Sequence, residues 1–388
     1  MKTLMIVGGG ASGVYLSILV KQRIKDMEVI ILEQNSSSLK KLLATGNGRC
    51  NLSNKNMSID NYHCDDNQIV DRIIHSFDMV KAMNDLGLLC QYQGDLLYPR
   101  TQQALSVKNI LLEEAKKLGV LFIYEQEVVC VQTQSPYKVI TQDSHYQADY
   151  VVFAMGSEAG KLSGIQSSRY DILKKLGLKV IPSFPSLVQM NTKPVLKQLK
   201  GVRVRGTFSL LENNKCIHKE KGELLFTDYG VSGIAIMQLS AFYKKNHSYE
   251  ISMDFFDDMS EEELVYFIEN RKKKGYNHFY DGLIHSKLSL YLEKLNLISS
   301  SQIVQSLKDM RLKVTGLRDF ENAQVMKGGL SLHEVDSSLE LKKYPQIYAM
   351  GEILNVTGLC GGYNLHFALA SAYQVAKAIE RKEYAKNS

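Results

Sequence analysis

Three glycines constrain this chain more than any other feature. Gly8-x-Gly10-x-x-Gly13 follows directly on a short apolar run, Leu4 to Val7, and opens a helical pattern from about Val14 to Lys25. A second strand pattern, Val29 to Leu32, ends at Glu33, 20 residues past Gly13. Strand, turn, helix and strand in this order predict a βαβ unit. The first glycine permits the tight turn, the second lets the backbone approach a pyrophosphate, and the third lets helix and sheet pack closely. The helix N-terminus, with Ala11 and Ser12 in its first turn, adds amide donors and a partial positive charge. Glu33 is suited to accept hydrogen bonds from a ribose diol and repels a 2′-phosphate, so the pattern predicts a dinucleotide of the FAD or NAD type rather than NADP.

The remaining pattern predicts an interrupted domain. At 388 residues and 45% hydrophobic composition the chain exceeds one ordinary core, which points to two or three domains. A polar, Gly- and Asn-rich stretch from Gln34 to about Asn67 is too irregular for a core element and too long for an idle connection. Helical periodicity follows at Ile69–Leu86 and Thr101–Leu118. Alternation from Val120 to Thr141 predicts a small antiparallel piece, and Tyr150–Ala154, ending at Met155-Gly156, predicts a return to the parallel sheet. Beyond Pro182 and Pro185, alternating segments at Gly201–Leu211 and Lys215–Phe226 predict a β-rich insertion. Ser260 and Glu263 form a capping-box pattern opening a helical stretch to about Met310. Strand character returns after Leu317, with one more short strand at Gln346–Met350. The expected division is residues 1–185 for the N-terminal part of the dinucleotide domain, 186–255 for the β-rich insertion, 256–315 for a helical subdomain, and 316–388 for return strands and the completion of the first domain.

Six cysteines lie far apart with no CxxC pair, which suggests neither a zinc site nor a disulfide framework and fits reduced thiols. The opening Met-Lys-Thr leads straight into the first strand, leaving no room for a signal peptide, and no apolar run approaches the roughly 18–20 residues of a bilayer span. A soluble cytoplasmic protein without a membrane partner is expected; the oligomeric state is left open. The net charge of +6 is scattered, apart from the run Arg271 to Lys274. It is read as solvated surface, with an anionic partner such as a dinucleotide phosphate or RNA as the alternative.

No second GxGxxG appears, since the segment Ala154 to Gly160 lacks the spacing and a closing acidic residue. One tightly held flavin is therefore the economical reading, with NADH or NADPH as a transient electron donor.

The segment Lys40 to Asn54, reading KKLLATGNGRCNLSN, closely resembles the signature of a bacterial flavoprotein family whose members are described as aminoacetone-oxidase-like or 3-dehydro-bile-acid-reductase-like. Gly222 to Gly233, Gly328 to Leu332, Gly351-Glu352 and Gly361 to Leu365 agree with it, so the resemblance spans nearly the whole chain. It departs from the family pattern at His366, where glutamine is usual, and at Cys360 and Ala372. The resemblance implies a Rossmann-like FAD-binding domain of the glutathione-reductase type, an α/β fold interrupted by an inserted β-barrel and a helical subdomain. It implies that the loop carrying Gly46, Asn47, Gly48, Arg49, Cys50 and Asn51 lies along the flavin, and that the turn Gly361-Gly362-Tyr363-Asn364-Leu365 closes over the isoalloxazine.

These placements have physical sense of their own. Glycines flanking Asn47 allow positive φ and expose amides, and Arg49 is suited to neutralise pyrophosphate or to orient a negatively charged flavin edge. Glu352 is placed to hold ribityl hydroxyls, and the helix opening near Asn364 to stabilise anionic reduced flavin. Gln34, Lys41, Thr45, Val128, Ala154 and Gly156 complete the expected cofactor contacts. No catalytic residue is assigned. Cys50, with Arg49 beside it to lower its pKa, Tyr229, Tyr363 and His366 are the candidates, each read more simply as packing or a cofactor contact.

The expected activity is a FAD-dependent oxidoreductase passing hydride through flavin N5, as an NAD(P)H-dependent reductase of a polarised C=C bond in a small molecule. An amine oxidase releasing hydrogen peroxide is the alternative enzyme. An RNA-associated or redox-responsive flavoprotein is the alternative of another class, although no basic stripe interleaved with aromatics supports a stable nucleic-acid partner.

Overall fold

The structure is a computed structural model and describes residues 1–160 and 169–385. It divides into two units, one comprising Met1–Phe184 with the C-terminal residues from Met326, the other Pro185–Val325.

The first unit is built on a five-stranded, wholly parallel sheet. β1 (Thr3–Val7) lies at its centre, flanked by β2 (Glu28–Glu33) and by Tyr150–Phe153; Leu121–Tyr124 and Ile347–Ala349 form the edges. Leu4, Met5 and Ile6 are fully buried, as expected of a strand covered on both faces. Helix α1 (Ala11–Arg23) crosses from β1 to β2 and lies against the C-terminal helix Tyr363–Ala385. Ion pairs Lys2–Glu383 at 2.8 Å and Arg23–Glu380 at 2.6 Å tie the two ends of the chain together. The fifth strand comes from beyond the insertion, so the first domain is completed only by C-terminal residues.

Leu121–Tyr124 departs from the sequence reading, which placed it in the antiparallel piece. It pairs in parallel with β2, Ile31 opposite Phe122, and the antiparallel sheet consists of Val128–Gln132, Tyr137–Thr141 and His145–Ala148. A four-residue apolar run carries no period that distinguishes the two settings. The long helical pattern at Ile69–Leu86 is two helices, Asn67–His75 and Met79–Asp85, each opened by an aspartate cap, Asp66 and Asp78.

The second unit is a closed six-stranded antiparallel barrel of Met190–Lys193, Gly230–Ser232, Lys215–Phe226, Arg203–Glu212, Tyr249–Asp254 and Met310–Leu317. A strand does follow Leu317, at Val325–Leu330, while Met310–Leu317, read as the end of the helical stretch, is itself a barrel strand. Helices Glu261–Lys272, Ser286–Glu293 and Ser300–Lys308 share its core, where Phe208, Leu210, Phe226 and Ile251 pack with Leu264, Ile268, Leu288 and Leu307. The Ser260 box is formed, Glu263 N donating to Ser260 Oγ at 3.1 Å and Ser260 N to Glu263 Oε2 at 2.8 Å. No helix among the described residues is long and apolar enough to cross a membrane.

Candidate functional site

The glycine turn after β1 is shaped by close backbone contacts on two sides and by open space on the third. Gly8 has φ +112°, and a Cβ there would stand 2.5 Å from Ala154 O; one on Gly13 would stand 2.1 Å from Gly8 O. Gly10 differs, because its Cβ would meet nothing nearer than Ala154 O at 4.0 Å. Gly10 caps α1 without a side-chain hydrogen bond, no acidic residue lies in the first turn, and Val14 is the first residue to donate within the helix, to Gly10 O at 3.0 Å. The amides of Ala11, Ser12 and Gly13 are therefore left for a partner outside the helix, at its positive end.

Glu33, at the end of β2, is buried and braces this turn. Its Oε2 accepts from Gly9 N at 2.8 Å, while Oε1 accepts from Asn35 N at 2.8 Å and Asn35 Nδ2 at 2.6 Å. Beside it the buried Ser38 Oγ has no hydrogen-bond partner. A cavity of about 140 Å³ opens here, bringing Gly8, Glu33, Gln34 and Val128 together with Met155 and Arg169. Ala154 closes the strand Tyr150–Phe153 against Gly8, and Gly156, at φ +69°, follows in the left-handed region.

The asparagine-rich loop forms a second turn. After the short helix Lys40–Ala44, Gly46 and Asn47 adopt φ +57° and +55°, and Cys50 N closes the turn on Thr45 O at 3.0 Å. Gly48 is also left-handed, at φ +83°. Cys50 is fully buried, and burial pushes its thiol up to about 11, so the low pKa expected from Arg49 is not realised. Arg49 is exposed, its guanidinium 5.0 Å from the Tyr98 ring centroid.

The C-terminal turn meets both of these. A Cβ on Gly351 would lie 2.8 Å from Ser12 Oγ, next to the first turn of α1. Glu352 Oε2 accepts from Lys41 Nζ at 2.7 Å and from Ser157 Oγ at 3.4 Å, joining the loop, the sheet and the C-terminal segment. Asn54 Nδ2 donates to Gly361 O at 3.0 Å, and a Cβ on Gly362, at φ +92°, would stand 2.5 Å from Ser53 O and 2.8 Å from Asn51 Oδ1. Asn364 clamps the turn, Nδ2 donating to Gly358 O at 2.7 Å and Oδ1 accepting from Gly358 N at 2.8 Å. The helix Tyr363–Ala385 starts here, with Leu365 half-buried in its first turn. Asn51 Oδ1 is buried without a partner.

The catalytic candidates have different surroundings. Tyr229 belongs to the barrel unit, where Arg318 stacks over its ring at 4.8 Å. Tyr363 is buried edge-on to Tyr62, centroids 5.8 Å apart. His366 is also buried, Nδ1 2.8 Å from Ser53 Oγ and Nε2 3.0 Å from Ile74 O. A carbonyl only accepts, so Nε2 carries a proton, and in the neutral ring that burial favours Nδ1 accepts from Ser53, so that the side chain spans the helix and the loop. Burial lowers its pKa, the hydrogen bond to Ile74 opposing this less strongly. The unfolded chain therefore binds the extra proton first, and stability is full above the ordinary imidazole pKa and declines as pH falls below it. Denaturant unfolding from pH 7 to pH 5 is expected to show this decline, at most about 1.4 kcal/mol per pH unit for one group, and His366→Gln to flatten it.

Sequence reasoning missed Ser38, Ser157 and Arg169, because no motif carries them; only the fold brings them to the glycine turns. A group combining a diphosphate with sugar hydroxyls fits what is present: free amides at α1, unsatisfied oxygens on Ser38 and Asn51, and open space before Gly10.

Comparison with known proteins gives the chain's relatives. The profile of the family described as HI0933-like protein Rossmann domain matches residues 2–378. The 3-dehydro-bile acid delta(4,6)-reductase of Clostridium scindens is 31% identical, covering 97% of this chain and 99% of that protein. The ribosomal RNA dihydrouridine synthase of Escherichia coli is 26% identical over 96% of each. Among solved structures, the open conformation of a flavocytochrome c3 fumarate reductase matches with TM-score 0.52 and 14% identity, covering 98% of this chain and 78% of that one, a likeness of fold.

Proposed function

The chain belongs to the HI0933-like family and is an FAD-dependent oxidoreductase, and from that premise we propose that it reduces a carbon–carbon double bond conjugated to a carbonyl, with NADH or NADPH as donor. The observation that carries this reading is the end-to-end similarity to a protein named as a delta(4,6)-reductase of a 3-dehydro-bile acid. The relatives named as dihydrouridine synthases fit the same chemistry, since dihydrouridine is uridine with hydrogen added across a ring double bond conjugated to a carbonyl.

Bound FAD supplies the redox chemistry, taking up and giving out hydride. In this reading the amides of Ala11, Ser12 and Gly13 hold its diphosphate, Glu33 and Ser38 its ribose, and Glu352 its ribityl hydroxyls. Lys41 orients Glu352, and Asn51 with the amides opening the helix at Tyr363 serves the ring system.

A second reading, motivated by the two dihydrouridine synthase relatives, has the conjugated double bond in a uridine of ribosomal RNA. One experiment covers both. The flavin-loaded protein is mixed anaerobically with NADH or NADPH, then with a 3-oxo-Δ4,6 steroid acid or with unmodified ribosomal RNA. Bleaching by a nicotinamide followed by recovery of flavin colour with the steroid supports the first reading; recovery with RNA alone supports the second. No bleaching by either nicotinamide overturns the proposed donor, and peroxide formation from an amine and oxygen without nicotinamide would replace the reductase by an oxidase.

A further inference from the structure

Two residues before the helix Asp171–Lys175, the half-buried Arg169 stands on the wall of the cavity that Gly8 and Glu33 line. Arg169 Nη1 donates to Met155 O at 3.0 Å and also to Ser157 O, which fixes the guanidinium astride Gly156. Its Nε is buried with no acceptor, and among the described residues no carboxylate forms an ion pair with it. A cation withdrawn from water and left without a counter-ion is costly, so such a group persists where an anion arrives to complete it. Glu33, Glu158 and Glu352 act on it from a distance, none of them forming an ion pair with it. Lys41 cannot serve in its place, because that ammonium is already paired with Glu352 at 2.7 Å.

We infer that Arg169 binds the cofactor's diphosphate, as the counter-charge that the amide turn after β1 lacks. The inference rests on the flavin reading but not on the reductase reading. Arginine suits this role because its charge is fixed and its planar donors match phosphate oxygens. The Gly8–Gly13 turn carries no side-chain charge of its own, and its first helical turn contains no basic residue. Arg169 would therefore give the site its sensitivity to salt.

Flavin-stripped protein and its Arg169→Met and Arg169→Lys variants, checked for fold by circular dichroism, are titrated calorimetrically with FAD, ADP and adenosine at low and high salt. Arg169→Met is expected to weaken FAD and ADP about 10- to 100-fold and adenosine less than about 2-fold, and Arg169→Lys to regain part of the loss for ADP. Added salt should weaken ADP binding to the native chain more than to Arg169→Met. Equal losses for ADP and adenosine would assign the guanidinium to the base and overturn the inference, as would unchanged FAD and ADP affinity. Should Arg169→Met not fold, native protein that binds ADP no more tightly than adenosine, or with no response to salt, overturns it equally. Native protein that takes up no FAD would instead sink the flavin reading itself.

Discussion

A Gly10→Val variant is expected to purify folded but colourless, with affinity for FAD reduced at least about 100-fold, or about 2.7 kcal/mol. Gly10 has φ −76° and ψ −176°, a conformation that valine also adopts, and its Cβ would meet only Ala154 O, at an unstrained 4.0 Å. Valine caps a helix less well than glycine, a cost of about 1 kcal/mol or less. The branched side chain instead fills the space before the free amides of Ala11, Ser12 and Gly13, which is where the diphosphate must approach. Gly13→Val is expected to behave in the opposite way. Its Cβ would stand 2.1 Å from Gly8 O and 3.3 Å from Ile6 Cγ2, so α1 is forced off β1 and the fold itself is lost or severely weakened. Thermal unfolding and FAD titration of the two variants separate these outcomes. A coloured Gly10→Val protein with native affinity would show that the turn does not face the cofactor.

Gly362→Val carries the second large effect, from the other end of the chain. Its φ of +92° is strained for any side chain, and its Cβ would press on Ser53 O at 2.5 Å and on Asn51 Oδ1 at 2.8 Å. Left-handed strain of roughly 1–3 kcal/mol and overpacking of roughly 1–3 kcal/mol give an expected destabilisation of about 2–6 kcal/mol. FAD binding should fall as well, because the clash separates the helix opening at Tyr363 from the loop that carries Asn51. Gly361→Ala offers the comparison. Its Cβ would meet side-chain atoms at 3.2 to 3.6 Å, of Asn54, Tyr363 and Leu96, so strain remains while the backbone clash disappears. Denaturant unfolding should rank Gly362→Val well below Gly361→Ala. Equal stability of the two would mean that the turn and the loop are not held in contact.

What the chain discloses before folding follows from which interactions are local. The turn from Gly8 to Gly13 was legible because every demand on it falls within one βαβ unit: a tight turn, a close helix and an acid at the end of the next strand. Buried strands of a parallel sheet were legible as continuous apolar runs, but Leu121–Tyr124 was not assigned to that sheet, because so short a run joins equally well onto the alternating strands that follow it. The start of the last barrel strand was hidden in a similar way: Met310–Leu317 alternates only after a helix whose end carries no glycine or proline to mark it.

The candidate site divides along the same line. Gly351, Glu352, Gly361 and Gly362 could be named from their turn chemistry and from the family resemblance, yet nothing local says that Glu352 meets Lys41 or that Gly362 rests on Ser53. Arg169 gave no signal at all, since an arginine after two serines is ordinary surface composition. It becomes informative only when the fold buries it beside the cavity. Cys50 and His366 were legible as unusual residues, but their chemistry is set by burial, which raises the thiol and lowers the imidazole, and burial is a property of the whole unit.

Glycine turns from opposite ends of the polypeptide must close on a single flavin for the site to work as described. Titrating flavin-stripped native protein with FAD, beside Gly10→Val and Gly362→Val, tests this most directly. Saturation at one FAD per chain, weakened by a change at either turn, is the result expected. Failure of the native protein to take up FAD, or uptake indifferent to both substitutions, would contradict it.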